Sequence, residues 1–365
     1  MDSPLEAVAF SQLDGWAVDD HEAVLAVLRR SCVAILHLTA DSHCQARFAG
    51  NLQAWQDVAS AALTASPARQ FFETQFQPYR VCDPERPEGL FTGSFEPEVV
   101  GSLKAEGEFC VPVYRPPADL VTFPEAMRQR HGLTAGRLVG GKPGPYFTRR
   151  EIEQGALDGR GLEIVWLRDW ADAFFIHIQG SGRIRLRQGG IMRLGYAAKS
   201  GLPYTSIGAV LADRGIMSRE QLSMQSIREW MVQNPAEARA LMWENQSFIF
   251  FQVAQLEDAG LGALGAQDVQ LTPRRSLAVD RRFWTLGTPV WLDADVPAGD
   301  EGSMERFRQL LIAQDTGSAI RGLARGDVYW GFGDSAGRIA GPMKSSGDMY
   351  VLLPCAVAEE LGLRT

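Results

Sequence analysis

The sequence has little of what marks several common classes of enzyme. It contains only five cysteines in 365 residues, none of them in a C-x-x-C pair: Cys32, Cys44, Cys82, Cys110 and Cys355. An odd number without paired spacing fits neither a zinc site nor a disulfide framework. The five histidines are never at metal-ligand spacing, and the motifs G-x-S-x-G and H-E-x-x-H are missing. These absences argue against zinc catalysis and against a serine or cysteine nucleophile.

Basic charge and long apolar runs are also scarce. The 36 Lys and Arg residues are outnumbered by 44 Asp and Glu residues, which gives a net charge of -8. Nucleic-acid binding draws on an excess of basic residues, so we expect no nucleic-acid partner. No apolar stretch reaches the roughly 18 to 20 residues of a transmembrane helix. The first residues, MDSPLEAVAFSQLDGW, also lack the basic start and apolar core of a signal peptide.

What the sequence does contain is the composition of a folded protein, with 45% hydrophobic and 22% charged residues. Its length suggests about two domains. The first 75 or so residues predict helices, because apolar residues from Val24 to Leu36 recur near the 3.6-residue period after Asp19 and Asp20. A second apolar face surrounds Trp55, and Ser66-Pro67 predicts the start of a third helix.

The rest of the chain predicts mostly strands with a group of helices between them. The runs LEIVWLR, AFFIHIQ and RIRLR predict strands, with a turn at Gly189-Gly190. Three helices follow, at about 206–212, from Ser218 to Met231 after a capping-box pattern, and from Asn234 to about Glu244. The last third predicts the strands LAVD, TPVWLDADV, RQLLIAQD and RGDVYWGFG.

Two motifs fail when they are checked residue by residue. Residues 136–142, GRLVGGK, match most of a phosphate-binding loop, but Pro143 stands where Ser or Thr should hold magnesium. Asp315-Thr316-Gly317-Ser318 matches one half of an aspartic-protease site, which needs two such carboxylates. The second candidate, Asp334-Ser335-Ala336, has alanine where the turn requires glycine.

Three aspartates at strand ends form the strongest candidate site. Asp280 ends LAVD, Asp315 ends RQLLIAQD, and Asp327 opens DVYWGFG. Aromatic faces stack on sugar rings, and an apolar wall raises the pKa of a carboxylic acid so that it donates a proton near neutrality. Any one of these residues alone would be interpreted as a solvated turn aspartate, but three aspartates that each lie at the end of an apolar strand favour a carbohydrate site.

Long motifs around these aspartates carry a family resemblance. LTPRRSLAVDRRFWTLGTPVWL, LIAQDTGSAIRGLARGDVYWGFG and MYVLLP resemble the "3D" domain, named for three aspartates. FTGSFEPEVVGS, PYFTRREIEQGAL, IHIQGSGRIRL, RLGYAAKSGLPYTSIGAVLADRGIM and ENQSFIFFQ resemble the membrane-bound lytic murein transglycosylase A family. The resemblance runs from about residue 90 to the end. It implies a mainly β protein with N-terminal helices, in which a double-psi β-barrel domain (1–97 and 245–365) carries a smaller inserted β-rich substrate-groove domain (98–244).

The resemblance also implies an activity. The family cleaves the β-1,4 bond between N-acetylmuramic acid and N-acetylglucosamine in peptidoglycan, leaves 1,6-anhydromuramic acid ends and needs no cofactor. Asp327 matches the residue that acts first as general acid and then as base, while Asp280 and Asp315 are expected to tune its ionisation and bind sugar. The substrate-binding residues implied are Thr92, Phe95, Gln179, Gly180, Ser181, Gly182 and Tyr196. The chain has Ser94 and Phe95 where the family commonly has two tyrosines, which removes hydroxyls from the expected groove.

Two other functions stay open at this point: glycoside hydrolysis on the same barrel, and non-catalytic binding of the cell wall as in expansins. The implied substrate, peptidoglycan glycan strands, lies outside the cytoplasmic membrane, so we expect a location in the periplasm or at the outer membrane. The earliest cysteine, Cys32, falls inside a predicted helix, where burial is expected rather than acylation. We therefore expect a soluble, monomeric periplasmic enzyme whose start codon lies upstream of Met1 and encodes a cleavable signal.

Overall fold

A computed structural model describes residues 4–39, 46–83, 88–219, 221–255, 258, 260–299 and 302–363. The helices are α1 His21–Leu36, α2 Leu52–Thr64, α3 Ala68–Gln75, α4 Glu125–His131, α5 Arg149–Glu151, α6 Trp170–Gln179, α7 Ile207–Asp213, α8 Met224–Gln233, α9 Pro235–Glu244, α10 Gly333–Ala340 and α11 Cys355–Glu360.

The strands follow the same chain order. They are β1 Leu5–Ala7, β2 Phe76–Val81, β3 Gly89–Glu96, β4 Glu98–Ser102, β5 Val111–Tyr114, β6 Val121–Thr122, β7 Ala135–Val139, β8 Lys142–Gly144, β9 Glu163–Leu167, β10 Ser181–Leu186, β11 Ile191–Lys199, β12 Ile249–Val253, β13 Ser276–Val279, β14 Pro289–Pro297, β15 Met304–Asp315, β16 Arg325–Phe332 and β17 Lys344–Pro354.

These elements form two compact units. The first unit comprises Met1–Phe95, Asp258–Gly331 and Ser335–Thr365, and the second comprises Glu96–Glu257 and Phe332–Asp334. The first unit contains a closed ring of six strands in the order β3, β17, β14, β15, β13 and β16, with β16 returning to β3. Strand β13 runs parallel to β15 and antiparallel to β16. The prediction of a mainly β protein with N-terminal helices and a barrel is confirmed.

The N-terminal helices pack on this barrel. Asp20 caps α1, and its side chain accepts a hydrogen bond from the Ala23 N–H at 3.0 Å. Apolar residues of α1 and α2 share one core with barrel strands β14 and β15. A buried polar network reinforces this contact, because Gln314 on β15 donates to Ser31 on α1 at 2.9 Å and accepts from Ser276 on β13 at 2.5 Å. Gln314 therefore points toward the helices.

The second unit is built on two sheets. One has the strand order β12, β11, β10, β4, β9 and β5, and the other has the order β6, β7 and β8. Helix α6 packs on the larger sheet through Ala173 and Ile176, beside Val165 and Ile184. Its opposite face contributes to a further core with α7, α8 and α9.

Most of the predicted elements are confirmed, including α1, α2, α7, α9, the hairpin of β10 and β11, and the strands β13 to β16. The prediction of a strand at AFFIHIQ is wrong, since these residues lie in α6. A short, continuous apolar run carries no period that separates a strand from a buried helix. The residues at its two ends favour the helix, because the Asp169 side chain accepts from the Asp172 N–H at 2.7 Å and Gly180 ends the helix with φ 74°.

Two predicted helix starts are displaced. The helix predicted from Ser218 is α8, which begins at Met224 with Ser223 as its N-cap. The Gln221 side chain does accept from the Ser218 N–H, at 3.2 Å, but it closes a turn before the helix. Helix α3 begins at Ala68 with Pro67 at the N-cap, one residue later than predicted. Residues 136–142, which match most of a phosphate-binding loop, lie in the hairpin of β7 and β8.

Within the described ranges, no helix is long and apolar enough to cross a membrane. The described cysteines Cys32, Cys82, Cys110 and Cys355 are free thiols, and Cys44 lies outside the described residues. Burial raises the pKa of the Cys32 thiol to about 12, despite the charge of Arg29. Cys32 is 1% exposed, as expected for a residue on the apolar face of α1.

Candidate functional site

Asp327 lies on β16 with its side chain half-buried. Its Oδ1 accepts a hydrogen bond from the hydroxyl of Thr92, which lies on the adjacent barrel strand β3. Thr92 is therefore a direct neighbour of the predicted catalytic carboxylate.

Arg325 holds Thr92 from the other side. Its Nη2 donates to the Thr92 hydroxyl at 2.8 Å, and its Nη1 donates to the carbonyl oxygen of Gly326 and, at 3.4 Å, to that of Leu90. Arg325 is only 8% exposed. Its guanidinium thus bonds to β3 and β16 where Thr92 and Asp327 meet.

Asp315, the last residue of β15, is brought to the same face as Asp327 by a bulge. Leu277 pairs with Ala313, but the next residue of β13, Ala278, pairs with Asp315, so Gln314 is skipped in the register. On its other side Ala278 pairs with Asp327. Paired residues of neighbouring strands point to the same face of a sheet. Asp315 and Asp327 therefore flank Ala278, two strand spacings apart, which is about 10 Å between Cα atoms.

The surroundings of Asp315 favour its protonated form. Burial raises its pKa to about 6, even though the N–H groups of Thr316 and Ala266 bond to it, and the charge of Asp327 raises it further. The Ala266 N–H donates to Oδ1 at 2.9 Å. Asp315 and Asp327 are thus electrostatically coupled.

Asp280 is fully buried and bound on both oxygens. Arg282 donates to it through Nη2 at 2.5 Å and Nε at 3.0 Å, and the Gly322 N–H donates at 2.9 Å. Burial alone would raise the pKa of this carboxyl, but the hydrogen bonds from Arg282 and Gly322 outweigh it and lower the pKa to about 2. Asp280 therefore ties the segment after β13 to the segment before β16.

The remaining predicted site residues are distributed over both units. Phe95 on β3 is 6% exposed and packs against Gly337 of α10, so its ring belongs to the core of the first unit. Tyr196 on β11 is 50% exposed. The predicted segment of four residues spans the end of α6 and the start of β10 in the second unit: Gln179, Gly180, Ser181 and Gly182. A Cβ at Gly182 would lie 3.1 Å from the Ile176 side chain.

Sequence analysis missed Arg325, Ala266 and Ala278. Arg325 precedes Asp327 by two residues in a predicted strand, which is the spacing that places two side chains on one face. That signal was available in the sequence. The Ala266 N–H and the register of Ala278 depend on long-range pairing and leave no local pattern. Among the described residues, no group of three or more His, Cys, Asp or Glu is placed to hold a metal ion.

The barrel and its aspartates define a 3D-domain protein. The 3D domain family matches residues 275–353, and the "MltA specific insert domain" family matches residues 90–252. Together with the relatives described below, these matches show that the chain belongs to the membrane-bound lytic murein transglycosylase A family, which confirms the resemblance.

Curated relatives share this assignment in sequence. The "Membrane-bound lytic murein transglycosylase A" of Vibrio cholerae is 34% identical over 268 residues, which cover 72% of this chain and 65% of that protein. The Escherichia coli K12 protein of the same name is 34% identical over 267 residues, with the same coverage. The chain thus aligns with slightly less than two thirds of the length of these relatives.

Solved structures match over nearly the whole chain. A membrane-bound lytic murein transglycosylase from Agrobacterium tumefaciens has a TM-score of 0.87 at 34% identity, covering 97% of this chain and 99% of that one. MltA from Neisseria gonorrhoeae, in its monoclinic form, has a TM-score of 0.80 at 32% identity, with coverages of 97% and 94%. E. coli MltA with bound chitohexaose has a TM-score of 0.67 at 26% identity, with coverages of 97% and 92%.

Proposed function

We propose that this protein is a peptidoglycan lytic transglycosylase. It cleaves the β-1,4 bond between N-acetylmuramic acid and N-acetylglucosamine and leaves a 1,6-anhydromuramic acid end. The observation that carries the proposal is the environment of Asp327, a half-buried carboxylate on a barrel strand, hydrogen-bonded to Thr92 and in register with Asp315 across Ala278. Membership of the family and the glycan bound to E. coli MltA support the same substrate class.

In the proposed reaction Asp327 serves twice. Its protonated form donates to the glycosidic oxygen, so that the bond between that oxygen and carbon 1 of the muramic acid breaks. The 6-hydroxyl of the same sugar then bonds to carbon 1, and its proton passes to the Asp327 carboxylate. The acid is regenerated and no water is consumed. An internal nucleophile is held at high effective concentration, which removes the need for a second carboxylate to activate water.

The other two aspartates take supporting roles in this proposal. Asp315 and Asp327 repel each other when both are ionised, and this repulsion contributes to the raised pKa of Asp315. Asp280 holds the segments on either side of the site through Arg282 and Gly322.

We also propose the domain assignment implied by the family. Residues 1–97 and 245–365 would form the double-psi β-barrel domain with the catalytic aspartate, and residues 98–244 the inserted domain. We propose the segment 179–182 and Tyr196 as substrate-binding residues of that inserted domain. Since this substrate lies outside the cytoplasmic membrane, we propose that the protein acts in the periplasm or at the outer membrane.

Glycoside hydrolysis is the second candidate, because a hydrolase commonly uses two carboxyl groups and Asp315 and Asp327 lie on the same face, on either side of Ala278. In that reaction Asp315 would act as the base. The transglycosylase needs no such second group, because its nucleophile is the sugar's own 6-hydroxyl. A wall-binding protein without activity would not need a coupled pair of carboxyl groups.

The products separate these functions. Purified sacculi are digested with the protein and the released muropeptides are analysed by mass spectrometry, in water enriched in heavy oxygen. A transglycosylase yields 1,6-anhydromuramic acid ends without heavy oxygen. A hydrolase yields reducing ends that carry heavy oxygen, and a binding protein releases no muropeptides. Either of the last two results refutes the proposal.

A further inference from the structure

Arg325 is a charged side chain in an almost fully buried position beside the proposed acid. With 8% of its surface exposed, it donates hydrogen bonds to two backbone carbonyl oxygens and to the Thr92 hydroxyl. Buried charges are costly unless they are paired and hydrogen-bonded. The bond to the Leu90 carbonyl links Arg325 to β3, whereas the bond to the Gly326 carbonyl stays within β16. The bond to the Thr92 hydroxyl, at 2.8 Å, adds a polar contact that leads directly to Asp327.

The direction of these hydrogen bonds is fixed by the chemistry of the three groups. A guanidinium group has donors and no acceptor, and an ionised carboxylate has acceptors and no donor. The Thr92 hydroxyl therefore accepts from Arg325 and donates its single proton to Asp327. Without Arg325 the Thr92 oxygen would lose this donor, and only the bond to Asp327 would hold the direction of the hydroxyl.

We propose that Arg325 is a positioning residue that orients the Thr92 hydroxyl toward Asp327, so that a fixed donor meets the negative charge formed when Asp327 gives up its proton. This inference rests on the proposed function. A donor already in place costs no reorganisation during the reaction, and such donors act mainly on the transition state. Thr92 is then a catalytic residue that touches the reacting carboxylate, rather than only a groove residue as the sequence suggests.

Other charged groups also face Asp327 and act on the same proton. Asp315 lies across Ala278 on β15, and Lys344 on β17 is in register with Thr92 and exposed. The negative charge of Asp315 opposes ionisation of Asp327, whereas Lys344 and Arg325 favour it. The role of the Thr92 hydroxyl must therefore be tested by a change that leaves all three charged groups in place.

Thr92→Val and Thr92→Ser provide that test. Valine keeps the shape of threonine without the hydroxyl, and serine keeps the hydroxyl. Muropeptide release from sacculi is measured against pH, giving kcat and kcat/KM for each protein. We expect Thr92→Val to lower kcat by about 10- to 100-fold, within the range of losing one such donor. The alkaline limb of kcat/KM, where the acid is lost, should move to higher pH by about one unit, because the ionised form has lost a donor. Thr92→Ser should restore both.

Arg325→Met, alone and combined with Thr92→Val, tests the role of the arginine. If Arg325 acts through Thr92, the substitution moves the alkaline limb in the otherwise unchanged protein by more than it does in the Thr92→Val background. Thermal unfolding followed by circular dichroism identifies variants that do not fold. If Arg325→Met does not fold, the comparison of Thr92→Val with Thr92→Ser still decides the role of the hydroxyl. Arg325→Lys, which keeps the charge and a donor, then replaces Arg325→Met in the double variant.

The outcomes separate this inference from the proposed function. If the unchanged protein releases no 1,6-anhydro ends, the proposed function fails. If it releases them and Thr92→Val has the pH profile of Thr92→Ser, the proposed function stands, and the proposed role of Arg325 and the Thr92 hydroxyl is overturned. Equal displacements by the arginine substitution in both backgrounds would show that Arg325 acts on Asp327 directly, which overturns its role through Thr92.

Discussion

Asp315 and Asp327 are both in register with Ala278, so a single alanine separates the two carboxyl groups on the barrel wall. The Cα atoms of the two aspartates are about 10 Å apart, and two charges at that separation interact by roughly 1 to 2 kcal/mol at an effective dielectric constant of 20. That is about one pKa unit. Ionisation of one carboxyl group therefore opposes ionisation of the other.

Asp327→Asn should abolish turnover and leave the fold unchanged, because asparagine keeps the shape of the side chain and can still accept from Thr92. Acid–base catalysis contributes at least about 100-fold, so the variant should retain less than a hundredth of the rate. The rate is measured as the release of soluble muropeptides from sacculi. Asp295→Asn, which changes an exposed carboxylate on β14, is the matched control and should retain full activity. A variant that keeps more than this residual rate would remove Asp327 from the proposed role.

Asp315→Asn should move the alkaline limb of kcat/KM to lower pH by up to about one unit. Removing a negative charge near Asp327 makes its ionised form less unfavourable, so the acid is lost at lower pH. Asp280→Asn is the comparison, because its charge is balanced by Arg282 and its removal should displace the limb less. Equal profiles for Asp315→Asn and the unchanged protein would show that the coupling has no effect on the acid.

Asp280→Asn should lower the free energy of unfolding by about 2 to 4 kcal/mol at pH 7, because it weakens several bonds to a fully buried carboxylate. The lowered pKa of Asp280 also gives a pH dependence. A depressed pKa adds stability above the unfolded value of about 3.9, and this is lost as the pH falls toward the folded value of about 2. Urea unfolding between pH 5 and 2 should therefore show a steeper loss for the unchanged protein, by about 2 kcal/mol. Parallel curves would contradict the role of Asp280 as a scaffold residue.

Gly93→Ala should destabilise the barrel and reduce activity together. A Cβ at this position on β3 would lie 2.7 Å from the Ala340 Cα and 2.8 Å from the Trp330 ring. To avoid this steric clash β3 must move, and Thr92 is the adjacent residue on that strand. We expect the free energy of unfolding to fall by about 1 to 3 kcal/mol. Gly195→Ala is the control on β11, because its Cβ would meet Ala254 at an ordinary 3.6 Å. Thermal unfolding and muropeptide release are compared for both; a Gly93→Ala protein with unchanged melting temperature would contradict the steric argument.

Local signals in the sequence were sufficient for much of the fold. The helix that begins after Asp20, the turn at Gly189-Gly190 and the four strands from Ser276 to Phe332 depend on periodicity and caps that lie within a few residues. The three aspartates could be found for the same reason, as each adjoins an apolar strand. AFFIHIQ was misassigned because its caps, Asp169 and Gly180, lie outside the apolar run itself.

The arrangement of the site could not be predicted in this way. The bulge at Gln314 decides that Asp315 pairs with Ala278, and nothing in the sequence of β15 marks a skipped residue. The three aspartates look equivalent in sequence, yet Asp280 is bound by Arg282 while Asp315 is held by a backbone N–H from Ala266. Arg282 lies only two residues after Asp280, but the Ala266 N–H belongs to the backbone and the Thr92 partner of Asp327 is 235 positions away, so neither of these leaves a local pattern.

The closure of the barrel has a consequence for the order of folding. Strand β3 completes the ring by pairing with β17, and Thr92 and Asp327, which meet across β3 and β16, are 235 positions apart. Contacts between such distant segments form slowly, because the entropy of closing a long loop is lost before the contacts compensate for it. The proposed acid therefore acquires its hydroxyl partner only once β3 has docked on the C-terminal strands, and nascent or partly folded chains lack the assembled centre. The proposed catalytic centre is in this sense a late product of folding.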